Sequence, residues 1–257
     1  MQFWPRKRAR KETARIRSWA VSKDASLLGF AGYKAGMTQV SYTDGKKTST
    51  TKGMDIVKPV TIIECPPLKV FGARAYKTSF YGKTVVAESV TDVDKNLRRK
   101  ITAGKPSKQK VKAIKDVSAQ DADSVMLICV TQPSSTSVGK KKPEVFEVGI
   151  GGSVEDQLNF AKEQLGKEIA VSDVFGAGDY VDTHSVTTGK GYQGVIKRFG
   201  VALRVKKSEK GQRRVGARSG GWTSRQHMMY RVAQPGQHGY HTRTEYNKWI
   251  LSIDSDA

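Results

Sequence analysis

Leu28-Gly-Phe-Ala-Gly-Tyr-Lys-Ala-Gly-Met-Thr-Gln-Val-Ser-Tyr42 alternates small and large residues and places glycines at 29, 32 and 36. Such a stretch predicts strands, with a bulge or a close backbone approach where the glycines fall. Outward from it the same reading applies to Val57-Lys-Pro-Val-Thr-Ile-Ile-Glu-Cys65, stopped by Pro66-Pro67, then to Phe71–Thr78 and Val125–Val130. Residues 91–124 change character. Lys, Asp and Ala replace β-branched residues, and Thr91-Asp-Val-Asp94 has the capping-box spacing of a short helix. Ser134–Lys142 is a polar loop. The clearest helix begins near Ser153, with Leu158, Ala161 and Leu165 on one face, Asp156 three after Ser153, and Gly166 past the end. Ile169–Phe175 leads back into strand, and Tyr180-Val-Asp182 runs into a basic region. No internal repeat is present.

Short strands around a helical insertion predict a mainly β fold, barrel-like at its core, with an inserted α/β element and long basic extensions. The expected divisions are a basic arm over 1–27, barrel strands over 28–90, and an inserted element over 91–175 with its helix near 153–165. Barrel strands over 176–257 then carry a basic finger at about 189–243.

The chain has 257 residues and a formal net charge of +21. That length suits one large domain or two small ones, with a real core. No apolar run approaches the ~18–20 residues of a membrane span. Met1-Gln-Phe-Trp-Pro-Arg-Lys-Arg8 lacks the apolar stretch of a secretory signal. It partly resembles an Arg-rich transit peptide and reads better as a nucleic-acid-binding arm. Cys65 and Cys129 lie in short apolar runs without CxxC spacing. They read as reduced, buried strand residues, which points to the cytosol.

The charge is segregated. Residues 1–23 hold eight Lys/Arg and one acid, Glu12; residues 183–248 hold fourteen Lys/Arg and two acids, Glu209 and Glu245. Those two segments carry all but two of the net positive charges, so the remainder is a nearly neutral body. Segregated basicity is an electrostatic footprint for a polyanion. The arm contributes Trp4, Arg6, Lys7, Arg8, Arg10, Arg15 and Arg17, with Phe3 and Trp19 interleaved. Its like charges predict a segment ordered only by its partner. The run from Gly189 to Arg243 contributes Lys190, Lys197, Arg198, Arg204, Lys206, Lys207, Lys210, Arg213, Arg214, Arg218, Arg225, Arg231 and Arg243. Ten glycines and five aromatics, Tyr192, Phe199, Trp222, Tyr230 and Tyr240, separate them. Guanidinium forks bind phosphates and stack on bases, which suits RNA.

Gly189-Lys-Gly-Tyr-Gln-Gly194 lacks the Gly-Lys-Ser/Thr ending of a Walker loop. It reads as backbone approaching RNA phosphates where a Cβ would collide. His227, His238 and His241 accompany Gln226, Gln237 and Arg243 at irregular spacing, with no carboxylate or thiolate beside them. Polar RNA contacts are the better reading than a metal site. His184 lies near Asp182 without a nucleophile in triad context. Trp222, in Arg218-Ser-Gly-Gly-Trp-Thr-Ser-Arg225, reads as a loop tip that stacks on bases, with a local packing anchor as the alternative.

Five stretches then carry a resemblance. They are Phe3-Trp-Pro-Arg-Lys-Arg-Ala9, Gly29-Phe-Ala-Gly-Tyr-Lys-Ala-Gly-Met-Thr38, Lys140-Lys-Lys-Pro143, Gly189-Lys-Gly-Tyr-Gln-Gly-Val-Ile-Lys-Arg-Phe-Gly200 and Gln234-Pro-Gly-Gln-His-Gly-Tyr-His-Thr-Arg-Thr-Glu-Tyr-Asn-Lys248. In this order they resemble the archaeal and eukaryotic form of the uL3 family of large-subunit ribosomal proteins. The resemblance implies a translation-protein-type β-barrel with a helical insertion. It also implies binding to large-subunit rRNA and a role in assembly. Trp222 matches the tip of a finger that reaches toward the peptidyl-transferase centre, and the stretch from Trp4 to Arg17 matches an rRNA-threading arm. The implied partners are large-subunit rRNA and neighbouring large-subunit proteins. No membrane, small-molecule substrate, catalytic residue or resident cofactor is implied, and Mg2+ enters only in association with RNA.

Two departures stand out. The histidine that eukaryotic members methylate, twelve residues before the tip tryptophan, is Lys210 here. Members also usually continue past Glu245-Tyr-Asn-Lys248 with further β-structure, whereas this sequence ends at Ser255-Asp-Ala257. A barrel lacking those strands presents an open edge that something else must cover. From other classes, an RNA-modifying enzyme would need a cofactor site or a carboxylate or thiol constellation that the sequence does not offer. An architectural DNA-binding protein is the further alternative.

Overall fold

The computed structural model describes residues 3–102, 112–207, 230 and 232–254. The chain divides into two units, Arg15–Asp179 with Trp249–Ala257, and Met1–Ala14 with Tyr180–Lys248.

In the larger unit, the glycine-punctuated stretch and the Val57 run pair as an antiparallel ribbon of β1 (Tyr33–Thr43) and β2 (Asp55–Glu64). The register slips between Lys34 and Gly36, at the last of the three glycines. Asp44 closes the turn: its carboxylate accepts from the Lys46 N–H at 3.0 Å and the Thr51 hydroxyl at 2.7 Å.

The remaining strands form one antiparallel sheet. β3 (Leu68–Ser79) is followed by β4 (Gly82–Val90), β5 (Ser124–Val130) and β6 (Val145–Gly149), in spatial order β4-β3-β5-β6. Helix α1 (Val154–Gln164) follows, and the two-residue β7 (Glu168–Ile169) then pairs with β3. Strands β3 and β5 are near-continuous apolar runs because they lie at the centre of the sheet. Leu68, Val70, Leu127 and Cys129 are buried there, together with Leu158 and Ala161 of α1. The helix starts where its pattern predicts. Ser153 caps it by accepting from the Asp156 N–H at 3.3 Å, and the Asp156 carboxylate answers the Ser153 N–H at 3.3 Å. Such a box satisfies two of the four orphan donors of a helix start.

Three local expectations are corrected here. Thr91 opens no helix, because its hydroxyl and its N–H both donate to the Phe71 carbonyl, at 3.0 and 2.8 Å. The nearby helical turn is a 3-10 turn at Leu97–Arg99. Beyond β7 the chain does not continue as strand but turns through a 3-10 segment at Val171–Asp173. Trp19 does not offer its ring with the arm's arginines. It packs against the core over Gly29 and Gly149, where a Cβ on Gly149 would lie 2.7 Å from the ring.

The smaller unit contains β8 (Tyr180–Val186), β9 (Tyr192–Gln193), α2 (Val195–Phe199), β10 (Gly236–Gln237) and β11 (Thr242–Trp249). Strand β8 pairs with β11, and β9 with β10. Helix α2 stops at Gly200, whose φ of 67° is the left-handed conformation that glycine adopts without a Cβ clash. The whole is mainly β with a helical insertion, as the sequence predicts.

Candidate nucleic-acid interface

Residues 3–14 belong to the smaller unit and fold against its basic segment. The Ala9 N–H donates to the Tyr240 carbonyl at 2.8 Å, and His241 Nδ1 lies 2.9 Å from the Lys7 carbonyl. Arg198 fastens three pieces of chain at once. Its Nε donates to the Gln237 carbonyl at 3.0 Å, Nη1 to Gln234 at 2.7 Å and Nη2 to Arg6 at 2.8 Å. Arg6 Nη1 returns a bond to the Arg198 carbonyl at 2.9 Å. The sequence reading has the arm ordered only by a partner, since its charges repel. The structure differs because backbone carbonyl dipoles, not carboxylates, accept from Arg6 Nη1 and from the three nitrogens of Arg198, although the buried Arg6 Nε is left without a partner among the described residues.

An aromatic platform completes the seat. Trp4 stacks on Phe199 with ring centroids 5.1 Å apart and planes 16° apart, and its ring meets Tyr230 at 5.8 Å. The guanidinium carbons of Arg6 and Arg198 sit 4.3 and 5.0 Å from the Phe199 centroid, and that of Arg243 sits 4.4 Å from Phe3. Cation–π contacts of this kind contribute ~0.5–2 kcal/mol each, more as water is excluded.

The glycine-rich loop packs on the histidine turn. The Lys190 N–H donates to the His238 carbonyl at 2.9 Å and the His238 N–H to the Gly191 carbonyl at 2.8 Å. Gly239 has φ 74°, and a Cβ there would collide with the Thr188 carbonyl oxygen. His241 is buried, and the N–H of its backbone donates to the Thr187 hydroxyl at 3.1 Å. Burial first, then the cations Lys190, Arg6 and Arg198 and the neighbouring His241, hold the His238 pKa below the ordinary imidazole value. That ring is therefore neutral at pH 7. Burial and the adjacent Arg6 charge likewise lower the Arg198 pKa from its usual value. Among the described residues no three His, Cys, Asp or Glu side chains are grouped to hold a metal ion.

Around this seat the cations face outward. Lys7, Arg8, Arg10, Lys11, Lys190, Lys197, Lys206 and Lys207 are exposed, and among the described residues none has a carboxylate partner. Several cations of the larger unit, by contrast, are paired. There Lys69 pairs with Asp94, Arg74 with Glu88 and Glu147, Lys100 and Lys140 with Glu144, and Lys167 with Glu163. Cations compensated by acids make a neutral surface; uncompensated cations on a folded face attract a polyanion.

The structure thus gathers Trp4, Arg6, Arg198, His238, His241 and Arg243 into one packed seat, which Lys7 joins through its backbone carbonyl alone while its ammonium stays exposed. Arg8, Arg10, Lys190 and Lys197 are exposed next to its members in the chain, Lys206 and Lys207 are exposed further along, and Arg204 is half-buried. Arg15 and Arg17 are exposed on the other unit. Lys210, Arg213, Arg214, Arg218, Trp222 and Arg225, with His227, lie outside the described residues. Sequence reasoning missed Phe199, Gln234 and Thr187 as parts of the seat. The signal for Phe199 was present: Lys197-Arg-Phe-Gly200 puts basic residues in a last helical turn before a C′ glycine.

The family model for ribosomal protein L3 matches residues 1–257. The chain belongs to the ribosomal protein L3 family. Among its relatives is large ribosomal subunit protein uL3 of Methanobrevibacter smithii, 45% identical over 98% of this chain and 76% of the relative. Large ribosomal subunit protein uL3 of Methanosphaera stadtmanae is 44% identical over 99% of this chain and 77% of its own. That of Archaeoglobus fulgidus is 43% identical over 100% and 78%. The L3 membership agrees with the resemblance carried by the five sequence stretches, and the arm and the Gln234–Lys248 stretch are two of the pieces that meet in the seat.

Proposed function

We propose that the chain is a non-catalytic structural constituent of the large ribosomal subunit that binds large-subunit rRNA and supports subunit assembly. The single observation that carries this reading is the arm folded onto Arg198, Phe199 and the Gln234–Arg243 segment, with exposed cations that have no carboxylate partner among the described residues. A preformed basic surface meets folded RNA without the ordering cost of a free tail. Lys7, Arg8, Arg10, Lys190, Lys197, Lys206 and Lys207 neutralise phosphates, and the internal seat fixes their spacing. Neighbouring large-subunit proteins are its other partners, and the cytoplasm is its place of work. No cofactor is needed beyond the Mg2+ that accompanies RNA.

On this reading Trp222 stands at the tip of a finger directed toward the peptidyl-transferase centre and acts by stacking. The support is its Gly-flanked, basic setting in the sequence and the family membership. The test is fractionation of cells expressing a tagged chain. The chain is expected to sediment with the large subunit and to leave it only in high salt. Sedimentation as free protein would overturn the reading. For the finger, Trp222→Ala and Trp222→Phe are compared in reconstituted subunits. The alanine variant is expected to impair peptidyl transfer more than the phenylalanine variant, and wild-type behaviour in both would remove the stacking role.

A further inference from the structure

The hairpin joining β3 to β4 ends in Phe80-Tyr81, the two most exposed aromatic side chains of the described residues, at 97% and 96%. Two-residue hairpin loops favour Asn, Asp and Gly, which accept the required dihedrals and are soluble. Here the two loop residues are Phe80 and Tyr81, and the only glycine beside them, Gly82 with φ 121°, is already the first residue of β4. Phe80 and Tyr81 touch each other edge-to-face, with centroids 5.4 Å apart, so the faces turned away from that contact lie open to water.

The tip is also extended beyond its sheet. Strand β5 begins at Ser124, opposite Tyr76, so the ladder over Lys77–Thr84 pairs only with itself: Lys77 opposite Thr84, Thr78 opposite Lys83, Ser79 opposite Gly82. All residues from 77 to 85 are exposed. Two lysines, Lys77 and Lys83, flank the aromatic pair, and no acid lies within the tip. At the base, the Asp123 carboxylate accepts from the Thr78 N–H at 2.6 Å and feels the charges of Lys77 and Lys83, and Lys83 Nζ lies 3.5 Å from the Ser124 hydroxyl. The Ser79 hydroxyl donates to the Gly82 carbonyl at 2.8 Å, which stiffens the turn.

We infer that this hairpin tip is a second RNA contact, separate from the basic arm and finger, in which Phe80 and Tyr81 stack on unpaired nucleobases while Lys77 and Lys83 bind the flanking phosphates. Exposed aromatic faces beside two lysines that share a single carboxylate, Asp123, are the recognition chemistry of single-stranded nucleic acid. The occupant is a single-stranded segment of rRNA, and this rests on the rRNA-binding reading above. A purely apolar protein partner would leave both lysines facing an uncharged surface.

The full chain is titrated with transcribed large-subunit rRNA at several salt concentrations, as wild type, Phe80→Ser/Tyr81→Ser and Lys77→Gln/Lys83→Gln. Both aromatic side chains are solvent-exposed, so the aromatic variant is expected to melt with the wild type. Its affinity is expected to fall by about tenfold or more at fixed salt, with an unchanged salt slope. The lysine variant is expected to lose about 1.4 from the slope of log affinity against log salt. Aromatic-variant binding within about twofold of wild type overturns the inference. So does normal RNA binding combined with failure to enter subunits, which would assign the tip to a protein neighbour. A wild-type chain that does not bind the RNA contradicts the rRNA-binding reading itself, whereas a wild type that binds beside a normal aromatic variant contradicts the hairpin alone.

Discussion

Arg6 and Arg198 are joined reciprocally, each guanidinium donating to the other's backbone carbonyl, at 2.9 and 2.8 Å. Two cations side by side repel, but here carbonyl oxygens are interleaved with them and Phe199 offers its ring to both. The arrangement turns an electrostatically unfavourable segment into a folded one and leaves the other cations outside.

Arg198→Ala removes three guanidinium bonds. Hydrogen bonds to charged groups contribute ~1.5–3 kcal/mol each and are not additive. The arm is expected to detach, and the Ala9 amide, bonded to the Tyr240 carbonyl, to exchange with solvent about tenfold faster or more. Arg198→Lys is expected to resemble alanine, because one ammonium cannot reproduce the fork. Unchanged exchange at Ala9 would show that the clamp does not hold the arm.

Two left-handed glycines of the same unit should differ in cost. Gly191 has φ 66° and open space around a hypothetical Cβ, so Gly191→Ala carries only the backbone term, ~1–2 kcal/mol. Gly239 has φ 74° and the Thr188 carbonyl in the way. Gly239→Ala should therefore destabilise more, by at least ~1 kcal/mol beyond the other. Thermal melts of the two variants check the order.

Acid should loosen this unit through His238. Its imidazole titrates lower in the folded chain than the ~6.5 of an unfolded one. The folded state thus favours the neutral ring, and that stability is present above about pH 6.5 and lost as pH falls toward the folded value. His238→Gln is expected to flatten the decline of melting temperature below pH 6.5. An equally steep decline in the variant would place the titrating group elsewhere.

Burial pushes the Cys129 thiol up to about 12 and raises that of Cys65 as well. Only thiolates alkylate readily. At pH 7.5 the native chain should resist iodoacetamide, with Cys65, the more exposed of the two, reacting first and Cys129 only on unfolding. Mass spectrometry of labelled peptides reads the order.

Much of the larger unit was legible because periodicity reports burial directly. The Phe71 and Val125 runs became the central strands, and Ser153, Leu158, Ala161 and Gly166 marked the helix and its end. What stayed hidden depended on groups that every residue carries. Thr91 was drawn from its capping role by one carbonyl, that of Phe71, and the arm was held by the carbonyls of Arg198 and Tyr240 and by the Arg198 guanidinium on the arm's own Arg6 carbonyl. Charge counting sees Arg6 and Arg198 as like charges and cannot see the oxygens beside them. The same limit applies to Trp4 and Trp19, whose rings pack on Phe199 and over Gly149.

A prefolded basic surface that binds RNA phosphates must release counterions, so its binding depends on salt. Affinity of the full chain for large-subunit rRNA is measured from low to high salt, for wild type and for Lys7, Arg8, Arg10 and Lys11 all changed to Gln. Each contact to a single-strand phosphate adds about 0.7 to the slope of log affinity against log salt. The wild type should show a steep slope, and the fourfold variant, melting normally, a slope smaller by up to about 2.8. Binding that ignores salt, or a slope the four substitutions leave unchanged, would contradict the account.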